Sequence, residues 1–295
     1  MNINWYPGHM AKTRRKLAED ISGVDAVIEL FDARAPRSSR NLDLGELCRD
    51  KPRLPVLGRE DLADPAVTAL WKESLPGSMA VNAASPNVPK IVVPALKKLL
   101  SERIQKDAEK GQAGRALRVM VVGVPNIGKS TLINNLLRRK AAKAEDRPGV
   151  TRERQWFPMD AGFLLMDTPG MLWPKFEDEE TGLHLAFTGA IRDEIMDTET
   201  LAARLAETLN TLYPDALEKR YGVTGGLEAL AKKRGFLLPG GVLDTERMAL
   251  TLLDEFRAGK LGRITLEKPS CSTSSQGSGD SLSTPARELR VERDI

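Results

Sequence analysis

Cysteine and histidine are scarce in this 295-residue chain, with two of each. Cys48 and Cys271 lie far apart, and no C-x-x-C pair or Cys/His cluster occurs, which excludes a disulfide framework and a zinc site of the usual spacing. Both thiols are expected to be structural bystanders. Long apolar runs are also lacking, since none approaches the roughly 20 residues that cross a bilayer. The opening Met1-Asn-Ile-Asn-Trp-Tyr-Pro-Gly-His9 has no basic-then-apolar layout of a secretory signal, so the cytoplasm is the expected compartment. Excess charge is small as well. Forty-four basic against 41 acidic residues give +3, so any case for nucleic acid must come from local patches. What remains is an ordinary globular composition, 41% hydrophobic, with length for one large or two modest domains.

The stretch Gly123-Val-Pro-Asn-Ile-Gly-Lys-Ser130 follows the apolar run Leu117–Val122 and precedes a helical pattern from Thr131 to Leu137. The spacing G-x-x-x-x-G-K-S in that context is a phosphate-binding loop. Its glycines let the backbone curl so that successive N–H groups point at phosphate oxygens, and the helix N-terminus adds positive potential. Lys129 is expected to reach the β- and γ-phosphates and Ser130 to bind magnesium. Some forty residues on, a strand Gly162–Met166 ends at Asp167-Thr-Pro-Gly170, where a nucleotide-bound magnesium needs a carboxylate.

Strand and helix alternate before this loop. Val24–Asp32 is almost continuously apolar, as a buried parallel strand is, and ends in Asp32-Ala-Arg-Ala-Pro36. A helical segment at Leu42–Cys48, strands at Leu54–Leu57 and Met79–Asn82, and helices at Ala66–Glu73 and Ile91–Ile104 follow, with Gln105–Arg115 read as a linker. The pattern predicts a doubly wound, mainly parallel sheet with a nucleotide at its carboxyl edge. From about Glu177 helices dominate. Leu201, Leu205, Leu209 and Leu212 share one helical face, a shorter helix spans Leu227–Arg234, and Asp244 caps another. The expected organisation is a nucleotide-binding domain over 1–176, a small all-α domain over 177–267, and a disordered, serine-rich tail over 268–295.

The order of these motifs resembles the circularly permuted GTPases, and the details resemble the ribosome biogenesis GTPase A (YlqF-type) family. The resemblance rests on Trp5-Tyr-Pro-Gly-His-Met10, Asp32-Ala-Arg-Ala-Pro36 with Ser38-Ser-Arg-Asn41, Gly123–Ser130, Pro148-Gly-Val-Thr151, and Asp167-Thr-Pro-Gly170 followed by Leu172-Trp-Pro-Lys175. In the C-terminal helices it extends only to kind and position. The base-reading motif, whose remnant is Leu57-Gly-Arg-Glu-Asp61, here precedes the phosphate loop. The resemblance implies GTP as substrate, with Pro125, Asn126, Ile127, Gly128, Lys129, Ser130 and Thr131 around its phosphates. Asp61 would read guanine, and Asn82-Ala83-Ala84 would meet the guanine oxygen. It places Ser130, Thr151 and Asp167 around magnesium, the Gly170 N–H on the γ-phosphate, and Asn126 beside a potassium ion. It also implies a precursor of the large ribosomal subunit, rRNA and ribosomal proteins together, as partner of a monomer.

Met171 stands where many GTPases carry a water-positioning glutamine, and the resemblance points to His9 instead. Docking of the N-terminal segment beside Trp5 and Tyr6 is the other role open to His9. His184 is expected on a switch region or helix surface. One departure matters: the family pattern has Asn-Lys where this chain has Gly58-Arg59. The Arg59 stem is able to cover a base face, but a loop-bracing amide is lost. Two alternatives therefore stand beside the GTPase reading: an NTPase with relaxed base choice, and a hydrolysis-deficient RNA-binding scaffold. The basic segments around Lys12–Lys16 and Arg138–Arg154 would meet rRNA phosphates.

Overall fold

Strand β1 (Ala26–Asp32) is buried along its whole length, as its apolar sequence requires, and it sits at the centre of a six-stranded sheet. The computed structural model describes residues 10–40, 42–48, 50–138, 155–159, 162–168, 178–191 and 197–269. The strand order is β3-β2-β1-β4-β6-β5, with β2 (Arg53–Gly58), β3 (Met79–Ala80), β4 (Leu117–Val122), β5 (Gln155–Met159) and β6 (Phe163–Asp167). All pairings are parallel except β5 with β6. Winding proceeds outward through β2 and β3 on one side and through β6 and β5 on the other. The reversal falls between β1 and β4, so the carboxyl ends of those two strands open the crevice where such sheets hold ligands. The predicted α/β architecture of a circularly permuted phosphate-loop domain is the one observed.

Both faces of the sheet are covered. Helices α1 (Met10–Ser22) and α2 (Leu42–Leu47) lie on one face, where Leu17, Ile21 and Cys48 pack on Val27, Met120 and Met166. On the other face α4 (Val88–Leu99), α6 (Lys129–Leu136) and α7 (Glu179–Phe187) contribute to a larger cluster. That cluster runs without a break into α8 (Thr198–Leu212), α9 (Asp215–Tyr221), α10 (Leu227–Arg234) and α11 (Thr245–Arg257). Helix α3 (Pro65–Ser74) packs Val67 and Trp71 on Phe31 of β1 and Leu57 of β2, and its N-cap Asp64 accepts from the N–H groups of Ala66 and Val67.

Several expectations change. The segment read as a linker is helical as far as Glu109, because α5 (Ser101–Glu109) is stabilised by Arg103–Asp107 and Glu102–Lys106 pairs one turn apart. Leu100 ends α4, so the single helix expected over Ile91–Ile104 is two. Strand β5 was missed because Pro158 interrupts its pattern; at a sheet edge a missing N–H costs nothing. Helix α9 was missed because Pro214 reads as a stop, whereas here it precedes the first turn. Leu212 is exposed rather than on the buried stripe of α8. The tail beyond 269 lies outside the described residues.

Candidate active site

The phosphate-loop sequence joins β4 to α6. Gly123 is required there by contact: a Cβ at this position would lie 2.6 Å from the Leu30 carbonyl oxygen of β1. Asn126 and Gly128 both take left-handed backbone conformations, with φ of 55° and 100°. This curls the loop over the N-terminus of α6. Lys129 is buried, and its ammonium donates to the carbonyls of Gly123 and Val124 at 3.2 and 2.9 Å. Burial pulls its pKa down to about 8, against the nearby Asp167, which raises it. The next residue, Ser130, donates its hydroxyl to Asp167 Oδ2 at 3.0 Å. Asp167 is the last residue of β6, and Thr168 ties the chain beyond it to β4 by donating to the Val121 carbonyl at 2.7 Å.

The segment expected to read the base lies beside this loop. Strand β2 ends at Gly58, where an added Cβ would stand 3.1 Å from Leu30 Cδ1 and 3.7 Å from the Ile127 carbonyl oxygen. Arg59 follows with φ of 55° and caps a 3-10 turn over Glu60–Leu62. Its guanidinium is partly buried against the loop. It donates to the Asn126 carbonyl at 2.7 Å and approaches Asp32 Oδ2 at 3.9 Å. Arg59 thus braces the phosphate loop from the position next to the lost asparagine, a role the sequence did not suggest. Asp61 is exposed on the turn. The Asn82-Ala83-Ala84 loop is adjacent, since Glu60 N–H bonds the Val81 carbonyl and Ala83 Cβ lies 3.8 Å from where a Gly128 Cβ would be. Asn82 Oδ1 accepts from Ala84 N–H, and Asn135 of α6 donates to the carbonyls of Ala83 and Ser85. Asn135 was not foreseen; in sequence it is one polar residue in an amphipathic helix.

The Asp32-Ala-Arg-Ala-Pro segment forms a buried support. Burial would raise the Asp32 carboxyl, but Arg34 outweighs it with two side-chain hydrogen bonds and holds it below the usual range. His184 is buried on α7, 3.2 Å from the Ser38 hydroxyl, so it is not a helix-surface residue. Burial lowers its pKa, partly opposed by Glu180. Glu267 accepts from Ser38 N–H and pairs with Arg37 at 3.3 Å, yet burial raises its carboxyl to about 7.

Thus Asp61, Arg59, Asn82, Ala83, the loop from Pro125 to Thr131, and Asp167 gather at the switch point of the sheet. Thr151, Gly170 and His9 lie outside the described residues. No group of three or more His, Cys, Asp or Glu side chains suited to a metal ion occurs among the described residues.

Comparison with known proteins finds relatives along most of the chain. A family described as 50S ribosome-binding GTPase matches residues 118–211. The ribosome biogenesis GTPase A of Bacillus cereus is 43% identical over 280 residues, covering 91% of this chain and 95% of that protein. That of Priestia megaterium is 43% identical over 282 residues, covering 92% and 98%. The GNP-bound crystal structure of YlqF from T. maritima superposes with a TM-score of 0.62 at 28% identity, covering 88% of this chain and 99% of that one.

Proposed function

The chain belongs to the ribosome biogenesis GTPase A family and is a GTP-hydrolysing ribosome assembly factor, and from that premise we propose that it acts, as a cytoplasmic monomer, on the precursor of the large ribosomal subunit. In this reading hydrolysis is slow in solution and faster on the particle. The matching family, described as 50S ribosome-binding GTPase, supports the choice of particle. Among the described residues no helix is long and apolar enough to cross a membrane.

One observation carries the enzymatic part: Lys129 and the Ser130–Asp167 pair converge at the N-terminus of α6 beside the β1–β4 switch point. The loop N–H groups and the Lys129 ammonium hold the phosphates and share the negative charge that grows on them in transfer. Ser130 Oγ and Asp167 Oδ2 are two hard oxygens 3.0 Å apart, which fits magnesium that Ser130 would bind directly and Asp167 through water, an ion that takes few protein ligands and completes its shell with phosphate and water. When bound, magnesium neutralises charge on the β- and γ-phosphates. Family resemblance assigns Thr151 to magnesium and the γ-phosphate, the Gly170 N–H to the γ-phosphate, and His9 to the attacking water. Asn126 is the candidate potassium ligand; its amide nitrogen is fixed by the Gly189 carbonyl at 2.9 Å. Its amide oxygen is the ligand type potassium takes.

A single-turnover assay with and without large subunits tests the scheme, together with nucleotide-dependent co-sedimentation. Stimulated hydrolysis, lost in Lys129→Ala and reduced in His9→Ala, is expected; full stimulation of His9→Ala removes histidine from the mechanism. Replacing potassium by sodium should slow the parent and leave Asn126→Ala unchanged. Phosphate contacts to rRNA require binding that weakens steeply with salt, so salt-indifferent co-sedimentation refutes the particle contact. A second reading, relaxed base choice, is favoured by the missing side chain at Gly58. Equal affinity for ATP and GTP, shifted toward GTP by Gly58→Asn, would establish it.

A further inference from the structure

The turn that carries Asp61 is completed from the opposite end of the chain. Within the turn, Leu62 N–H bonds the Arg59 carbonyl and Ala63 N–H bonds that of Glu60. Residues 263–265 add four further bonds, to the carbonyls of Glu60, Leu62 and Ala63 and to the Asp64 N–H. Arg263 donates through Nε to the Ala63 carbonyl at 2.8 Å and through Nη2 to the Glu60 carbonyl at 2.7 Å. Ile264 N–H donates to the Leu62 carbonyl at 2.9 Å. The Asp64 N–H donates to Thr265 Oγ1 at 3.1 Å, and that hydroxyl reaches the Ala33 carbonyl at the end of β1. The close of α11 seats the same turn, since a Cβ on Gly259 would lie 2.6 Å from Leu62 Cδ2.

We propose that residues 263–265 are positioning residues for base recognition, holding the Glu60–Asp64 turn so that the Asp61 carboxylate faces the N1–H and exocyclic amine of guanine. The proposal rests on the reading of Asp61 as the guanine-reading residue. A three-residue turn entered through a non-glycine residue in left-handed conformation has little means of fixing an exposed side chain by itself. Gly58 contributes no side chain to it. Orientation of a paired carboxylate must be held within roughly 0.5 Å to discriminate bases, and four bonds to the turn's backbone from three consecutive strap residues supply that restraint. Base reading then depends on the C-terminal helices, to which the strap is continuous through α11, and Tyr213 of α8 holds it by donating to the Thr265 carbonyl at 3.1 Å.

The test compares affinities for GDP and IDP, which differ only in the exocyclic amine, for the full chain and for Asp61→Ala, Arg263→Ala and Arg263→Lys. Arg263 is exposed, so its replacement should leave the fold intact, which thermal unfolding checks. The expected result is a GDP preference that Asp61→Ala removes, that Arg263→Ala cuts by about fivefold with IDP affinity held within about twofold, and that Arg263→Lys restores in part. If Asp61→Ala loses the preference while Arg263→Ala keeps the parent ratio, the strap does not position the base reader. If Asp61→Ala itself keeps the ratio, the reading of Asp61 fails and the proposal falls with it.

Discussion

Removing the Arg59 guanidinium should loosen the grip on phosphates rather than on the base. Its N–H···O bond to the Asn126 carbonyl is short, 2.7 Å, and the donor is charged. Hydrogen bonds of this kind contribute roughly 1.5–3 kcal/mol net. The Arg59 side chain is 25% exposed, so water competes and the lower end applies. A loss of about 1.5 kcal/mol corresponds to about a tenfold higher Kd. Titration of Arg59→Ala with a fluorescent GDP analogue should show this, and GDP and IDP should weaken in parallel because the brace acts on the loop that holds phosphates. Gly58→Asn offers the complementary arm. A Cβ placed there starts 3.7 Å from the Ile127 carbonyl oxygen, and the buried Leu30 methyl 3.1 Å away must give by a few tenths of an ångström to admit it. If Arg59 has taken over the bracing role, Gly58→Asn should recover affinity more in the Arg59→Ala background than in the parent. Arg59→Ala within twofold of the parent, or strictly additive substitutions, would refute this account.

Three further outcomes follow from the geometry. Lys129→Ala should lower single-turnover hydrolysis by at least about 100-fold, as expected when a charge aimed at the transferring group is lost; rapid-quench measurement decides, and a smaller loss would mean the ammonium has another role. Glu267 titrates near 7 in the folded chain against 4.5 as a free carboxyl, so the folded state binds the extra proton between those values and Glu267 costs stability as pH rises through them. Melting curves of Glu267→Gln at pH 5 and pH 8 should therefore show a gain over the parent at the higher pH; a uniform shift at both would contradict the linkage. Glu255, held near 2 chiefly by Arg220, with burial opposing the shift and Tyr221 and Arg234 adding to it, does the reverse and gives stability that is lost as pH falls from about 4.5 toward 2. Glu255→Ala strands the buried Tyr221 hydroxyl and should cost roughly 2 kcal/mol in urea unfolding at pH 7, with the acid sensitivity diminished.

The parts of the site legible in sequence were those whose chemistry is local. Gly123, Gly128, Lys129 and Ser130 declare themselves because a phosphate cradle needs particular backbone freedom and particular side chains within eight residues. Asp167 was legible for a related reason, as a carboxylate at the end of an apolar run. Arg59 looked like a base cover because its partner, the Asn126 carbonyl, is 67 residues away and carries no side-chain signature. The same holds for Asn135 and for Arg263 to Thr265, whose partners are backbone carbonyls and amides that every sequence possesses. In the fold, periodicity gave the central strands and the long helices, while prolines misled twice. Pro158 hid an edge strand and Pro214 hid the start of a helix, because a residue without an N–H is excluded from the middle of an element but not from its margins.

The strap at residues 263–265 also bears on the order in which the protein is made. Synthesis delivers β1, β2 and the Asp61 turn first, the phosphate loop next, and the residues that complete the turn's backbone bonding near the end. In a nascent chain the Asp61 turn thus lacks these backbone partners until residues 263–265 have been made. If the strap positions Asp61 as proposed, base specificity is complete only once α11 and residues 263–265 have left the ribosome that made them.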